Sequence, residues 1–281
     1  MAIADVRSSR YCVRKDDAYS MVELMVVMSV IAFLLAVLTL GVPAVRSMAL
    51  QRAAMSDISL IELGAKSFED EWGAFPPSGN SALTAALMEG SRQGAFHAKL
   101  NVDRVKTIKM ELGALIDPIV DEMTVSLPQL LPTFSNPEGG APLVRGYGAV
   151  RVEEEWIVFR GIEGDTLIGC RRGQFGTVAV EHDAGREVVM LEYRDPWGRP
   201  YAYTRAGDYG QEGTDQMLTR TGFWLSDGPD SNCDKRTSQP EGVIYDYENC
   251  GRFQLVSPGP DKKFWRSVEL DGHEIDDIRN W

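Results

Sequence analysis

Signatures of catalysis are missing from this 281-residue chain. It has no Gly-x-Ser-x-Gly elbow, no His-Glu-x-x-His pair and no phosphate loop, which excludes the hydrolase, zincin and nucleotide chemistries that need those residues at those spacings. Histidine is scarce, with three in all. His182 has no cysteine or histidine at metal-ligand spacing and reads as a turn or surface residue rather than a ligand. Carboxylate pairs such as Asp276 and Asp277 occur, yet nothing sets a defined acid against a base across a pocket, so the chain is expected not to be an enzyme. Positive charge is also in deficit: 29 Lys and Arg against 41 Asp and Glu give a net charge of -12. That balance argues against a nucleic-acid partner and makes a cation the more natural one.

Cysteine is sparse, with Cys12, Cys170, Cys233 and Cys250 making up the four. Cys233 and Cys250 bracket a loop that a disulfide would close in an oxidising compartment, stabilising the fold by about 3 kcal/mol. The alternative is a pair of reduced, buried thiols. Cys170 is left over as a small core residue.

Long apolar runs are limited to one. Between Leu24 and Val45 only Ser29, Thr39, Gly41 and Pro43 interrupt the hydrophobic pattern, enough for a helix to cross a bilayer core that needs about 20 apolar residues. Glu23 sits at the head of this run, where a carboxylate is costly without a positive partner or an aqueous route. Arg7, Arg10, Arg14 and Lys15 precede the run and acids dominate beyond it, which predicts a cytoplasmic N-terminus and an external body. A secretory signal peptide fits less well, because the run is long for its apolar region and the acid is out of place.

Beyond Pro43, Met48, Ala49, Arg52, Met55, Ile58, Ser59, Glu62, Leu63, Lys66 and Phe68 fall on spacings of three and four, so one helix is expected to continue to Trp72-Gly73. Ser81–Met88 reads as a short helix begun by a serine cap. A further helix is expected within Asn101–Met123, ended or kinked at Asp117-Pro118. Short strands are predicted at 156–159, 166–168, 177–180 and 188–191, separated by glycine turns. Asp195-Pro-Trp-Gly198 supplies a turn into another strand, with Trp197 and Tyr201 as packing residues.

The head of the chain, the Asp195-Pro-Trp-Gly198 and Pro200-Tyr201 pair, Ser257-Pro-Gly-Pro-Asp261 and Asp276-Asp-Ile-x-Asn-Trp281 together resemble the type IV pilin-like proteins, most closely the major pseudopilins of type II secretion systems. The likeness covers roughly residues 15–80 and 193–281. It departs from the family at Ala18, where glycine is usual, and at Asp16 and Asp17, where basic residues are usual. It implies an α+β, pilin-like fold: a long N-terminal helix with a membrane-spanning first half, packed on a C-terminal antiparallel β-sheet domain with a large insertion. The implied divisions are a leader at 1–18, the helix at 19–73 with its span to about residue 45, a variable region with an inserted β module at 74–192, and a C-terminal β region at 193–281.

By the same resemblance, a prepilin peptidase cuts between Ala18 and Tyr19, and the freed Tyr19 amine pairs with Glu23 of a neighbouring subunit. The plainer alternative is that Glu23 caps its own helix. Calcium is the implied cofactor, with the Leu255 carbonyl, the Ser257 hydroxyl, Asp276 and Asp277 as ligands and Asp261 as a further donor. The expected function is a structural subunit of a periplasmic filament supporting type II secretion across the outer membrane, anchored by one pass in the inner membrane. Its expected partners are copies of itself, minor pseudopilins and an inner-membrane assembly platform. The competing readings are a type IV pilus subunit or minor pseudopilin, and a monomeric, signal-anchored binding module outside the cytoplasm.

Overall fold

A computed structural model describes residues 20–90, 98–126, 147–208, 236–238, 244–246, 252–260 and 278–280. The chain divides into two compact units, Met1–Ser47 and Met48–Trp281. Helix α1, Met21–Trp72, contributes residues to both.

In the first unit the helix begins at a capping box. The Ser20 hydroxyl accepts the Val22 N–H at 3.3 Å, and Glu23 Oε2 accepts the Ser20 N–H at 2.9 Å. Two of the amide donors at the helix start are satisfied in this way. The side chains that follow are apolar and exposed, from Met21 at 77% to Leu35 at 56%.

The expected membrane span is not found. Residues 21–36 carry exposed apolar side chains, interrupted by Glu23 and Ser29. The stretch 45–72 is longer but carries Arg46, Arg52, Asp57, Glu62 and Lys66. Among the described residues no helix is long and apolar enough to cross a membrane. This overturns the membrane-spanning first half of the fold, the single-pass inner-membrane and periplasmic placement, and the membrane-anchored prepilin picture that went with them.

In the second unit α1 buries Ala54, Ile58, Ile61, Ala65 and Phe68, one stripe at spacings of three and four. Most of that stripe packs with Leu83 and Leu87 of helix α2 (Asn80–Glu89) and with Tyr193, Tyr201, Tyr203, Phe253 and Leu255. The expected serine cap of α2 is replaced. Gly79 precedes the helix at φ 99, where a Cβ would lie 2.1 Å from the Tyr147 carbonyl oxygen. Ser81 instead accepts the Ala149 N–H at 2.9 Å.

The strands in chain order are β1 (Val105–Glu111), β2 (Met123–Thr124), β3 (Gly148–Val152), β4 (Glu155–Phe159), β5 (Gly161–Glu163), β6 (Thr166–Ile168), β7 (Arg171–Gln174), β8 (Glu187–Tyr193), β9 (Ala202–Arg205), β10 (Arg236–Ser238), β11 (Ile244–Asp246), β12 (Phe253–Ser257) and β13 (Ile278–Arg279). They form a five-stranded sheet ordered β1-β8-β3-β4-β7, two three-stranded sheets ordered β13-β12-β9 and β2-β6-β5, and the pair β10-β11. The largest sheet therefore lies in the region read as an insertion, and the described C-terminal strands form only small sheets. This corrects the expectation of one C-terminal sheet domain.

The cause is legible in the middle region. Residues 105–111 alternate, with Ile108 and Met110 buried and their neighbours exposed or half-buried, and they pair antiparallel with all of β8, from Val105↔Tyr193 to Glu111↔Glu187. The helix expected within Asn101–Met123 is thus a strand preceded by a single 3-10 turn at Val102–Arg104. One cluster of the sheet contains Ile108, Met110, Val150, Val152, Ile157, Phe159, Val188 and Met190. A second contains Ala82 and Ala85 of α2 with Ala149, Trp156, Val158 and Leu191. The strand expected at 177–180 is displaced to β7 at 171–174, and Val178 and Val180 remain exposed.

Candidate functional site

Of the residues assigned to leader cleavage and assembly, Ala18 and Tyr19 lie outside the described residues. Glu23 is described, and its partner is its own chain, through the Ser20 N–H. The self-capping alternative therefore has direct geometric support. Glu23 Oε1 makes no hydrogen bond among the described residues. Around it the exposed apolar side chains of residues 21–36 point in every direction from the helix axis. Continuous apolar surface of this kind marks an interaction site.

The C-terminal ligand set is described in part. Asp261, Asp276 and Asp277 lie outside the described residues, as do Cys233 and Cys250. Ser257 Oγ donates to Asp195 Oδ2 at 2.7 Å and accepts the Gly259 N–H at 3.3 Å. Asp195 Oδ1 accepts the N–H groups of Trp197 at 3.0 Å and Arg199 at 2.8 Å, so this buried carboxylate organises the Asp195-Pro-Trp-Gly198 turn. Burial pushes the Asp195 carboxyl above its ordinary value, against the opposing pull of Ser257 and the Arg199, Trp197 and Gly198 amides.

The Leu255 carbonyl accepts the Asn280 N–H at 3.2 Å, and the Leu255 N–H donates to Asn280 Oδ1 at 2.9 Å. Asn280 Nδ2 reaches Glu62 Oε1 and the Phe253 carbonyl, both at 3.3 Å. The fold thus joins Ser257 to Asp195 and Leu255 to Asn280. Neither partner was assigned from sequence, although the Asp-Pro-x-Gly turn signal was present for Asp195. A hydroxyl and a carbonyl each carry two lone pairs, so Ser257 and Leu255 each keep one and fit calcium as neutral oxygen donors. Among the described residues no group of three or more His, Cys, Asp or Glu could hold a metal.

Two interior charge clusters were not anticipated. In the first, Glu155 accepts Arg172 Nε and Nη2, each at 2.7 Å, the Gly173 N–H at 2.9 Å and the Val180 N–H at 3.2 Å, and it contacts His182 Nε2 at 2.9 Å. Burial pushes this carboxyl up, but Arg172, the two amides and His182 together hold it below its ordinary value. His182 is 2% exposed, which corrects its reading as a turn or surface residue. In the second cluster Arg104 grips Asp57 with Nη1 and, at 3.0 Å, with Nη2, and the Tyr201 hydroxyl donates to Asp57 at 3.0 Å. Tyr201 stacks on Tyr193 at 5.7 Å. Burial pushes the Tyr193 phenol up to about 12 and raises that of Tyr201 as well.

Cys170 is a free, buried thiol that burial pushes up to about 12. It is therefore a packing residue and not a nucleophile. An open groove of about 510 Å³ is lined by Ser59, Glu62, Leu63, Lys66, Glu69, Phe75, Arg252 and Phe253. Neither interior cluster borders it. Comparison with known proteins finds no matching family model and no matching curated protein.

Proposed function

We propose that this chain is a non-catalytic structural subunit of a pilin-like filament supporting type II protein secretion across the outer membrane, and that it assembles with copies of itself through residues 21–36. One observation carries the reading: a helix apolar on every described side and exposed along sixteen positions. A helix of that kind is stable in water only when it is covered. Burying each large side chain contributes about 1.5–3 kcal/mol, so packing these helices against one another would drive assembly strongly. Other filament subunits and an assembly platform are the partners this reading implies.

Glu23 takes a specific part. Its carboxylate would pair with a positive group of a neighbouring subunit, with the Tyr19 amine as the candidate, replacing two isolated charges by a pair. Calcium belongs to the same reading as a structural ion of the C-terminal loop, held by Asp261, Asp276 and Asp277 with the Ser257 hydroxyl and the Leu255 carbonyl.

The test is assembly of the full chain, followed by sedimentation and electron microscopy, with Val27→Asp and Leu34→Asp as variants. Filaments that the variants abolish support the proposal. A monomeric chain, or filaments indifferent to both charges, overturns it. For calcium, a chelator is expected to lower the melting temperature, and an unchanged melting curve removes the ion from the account.

A further inference from the structure

His182 lies between β7 and β8, and its backbone exchanges two hydrogen bonds with Ile116, at 3.0 and 3.1 Å. Its ring meets a carboxylate at each nitrogen: Nδ1 is 3.0 Å from Glu153 Oε2, and Nε2 is 2.9 Å from Glu155 Oε2. A neutral imidazole has one N–H and one lone pair. In that form one contact would set a lone pair against a carboxylate oxygen. Only the imidazolium donates to both.

The surrounding charges agree. Arg172 binds Glu155 and also donates to the carbonyls of Asp117 and Val180. Arg186 binds Glu153 Oε1 at 3.1 Å and approaches Asp183 at 3.6 Å. Two guanidinium groups and an imidazolium balance Glu153, Glu155 and Asp183, whereas a neutral ring leaves one negative charge over.

The two glutamates are not equivalent. Glu155 is 1% exposed and has four other donors, so it is fixed. The Glu153 side chain is 45% exposed and can turn to water. Its backbone sits at φ 53, an unfavourable region for a residue with a side chain, so its contacts to His182 and Arg186 help hold the β3–β4 bend in place.

We propose that His182 is a proton-operated clasp. Protonated, it ties the β3–β4 hairpin to the paired backbones of Ile116 and His182. When it loses its proton, it drops Glu153 and loosens the adjoining segments, which carry the exposed Leu115, Ile119 and Val180. This does not rest on the filament reading, since the cluster lies wholly within Met48–Trp281.

The experiment is nitrogen-15 solid-state NMR of histidine-labelled full-length protein, which tolerates an assembled chain, together with hydrogen exchange. The signal of His182 is told from those of His97 and His273 by its loss in His182→Gln or, should that variant not fold, by its displacement in Glu153→Gln. At about pH 6 both ring nitrogens should carry protons. Between about pH 6 and about pH 9, exchange at the Ile116 and His182 amides should rise about tenfold relative to the Ile157 amide. In Glu153→Ala, which leaves Nδ1 without its acceptor, that ratio should already be high at the lower pH and vary little. An unprotonated ring nitrogen at about pH 6, or a ratio that stays constant with pH in the unaltered chain, overturns the clasp.

Discussion

Residues 21–36 and 48–72 belong to one helix, yet they owe their stability to different things. The second stretch presents a single buried stripe, including Ala54, Ile61 and Ala65, to a core supplied by the same chain. The first presents apolar side chains on every described side, all exposed. Sequence periodicity separates them: apolar spacings of three and four name a face, whereas an unbroken apolar run names none. On the proposed reading the first stretch is covered by other subunits, whereas the second is covered within its own unit.

The sharpest separation comes from charge. Asp57 is buried on the second stretch and holds both Arg104 and Tyr201. Asp57→Ala strands a guanidinium that is three-quarters buried, and is expected to cost about 3–5 kcal/mol in urea unfolding of the full chain. A loss below about 1 kcal/mol would place the pair among solvent-screened surface contacts and break the claim that this stretch is anchored within its unit.

Truncation probes the same contrast without charge. Ile61→Ala should lower unfolding stability by about 2–5 kcal/mol. Leu34→Ala, at a side chain 54% exposed, should leave it nearly unchanged and weaken self-association instead. Equal losses in unfolding for the two variants would show that the first stretch is covered by its own chain.

The pH dependence sharpens the picture from the other side. Tyr193 and Tyr201 both have raised phenol values in the fold, Tyr193 up to about 12. The unfolded phenol ionises first, near 10, so stability is complete below that pH and is lost as pH rises toward 12. On the acid side Glu155 is held low: its contribution is present above the ordinary carboxylate range and is lost as pH falls through its folded value. Asp195 is raised and opposes this, because its folded state favours the neutral acid. Denaturation monitored by tyrosine absorbance should show the alkaline loss, and stability that stays flat between pH 10 and about 12 would contradict it.

How much of this could be read from the residues depended on how local the determining physics was. The helix running to Trp72 and the Asp195 turn are set by near neighbours, and both were legible, but the buried face of the helix was not: Met55 and Leu63 of the expected face are exposed, and Ala54, Ile61 and Ala65 are buried in their place. The middle region was not, because Val105–Glu111 becomes a strand only when β8, about eighty residues later, pairs with it. His182 was misjudged for the same reason: its two carboxylates come from Glu153 and Glu155 across a hairpin, and no spacing rule for metals or catalysis describes that arrangement. The membrane reading failed differently. It took apolar length from the run by itself, whereas among the described residues no helix is long and apolar enough to cross a membrane.

The smallest expected effect on folding lies at the head of the helix, where the two roles of Glu23 can be separated. Its Oε2 takes the Ser20 N–H, and the Ser20 hydroxyl takes the Val22 N–H. Ser20→Ala removes one half of that exchange and should cost about 1 kcal/mol of local helix stability, seen as faster amide exchange at Val22 with no change in the unfolding of residues 48–281. Glu23→Gln keeps an oxygen for the Ser20 N–H but removes the charge. Capping alone predicts that the two variants impair assembly about equally and mildly. A charge pair with a neighbouring amine predicts that Glu23→Gln impairs it far more, because a buried ammonium left without its partner costs about 3–5 kcal/mol.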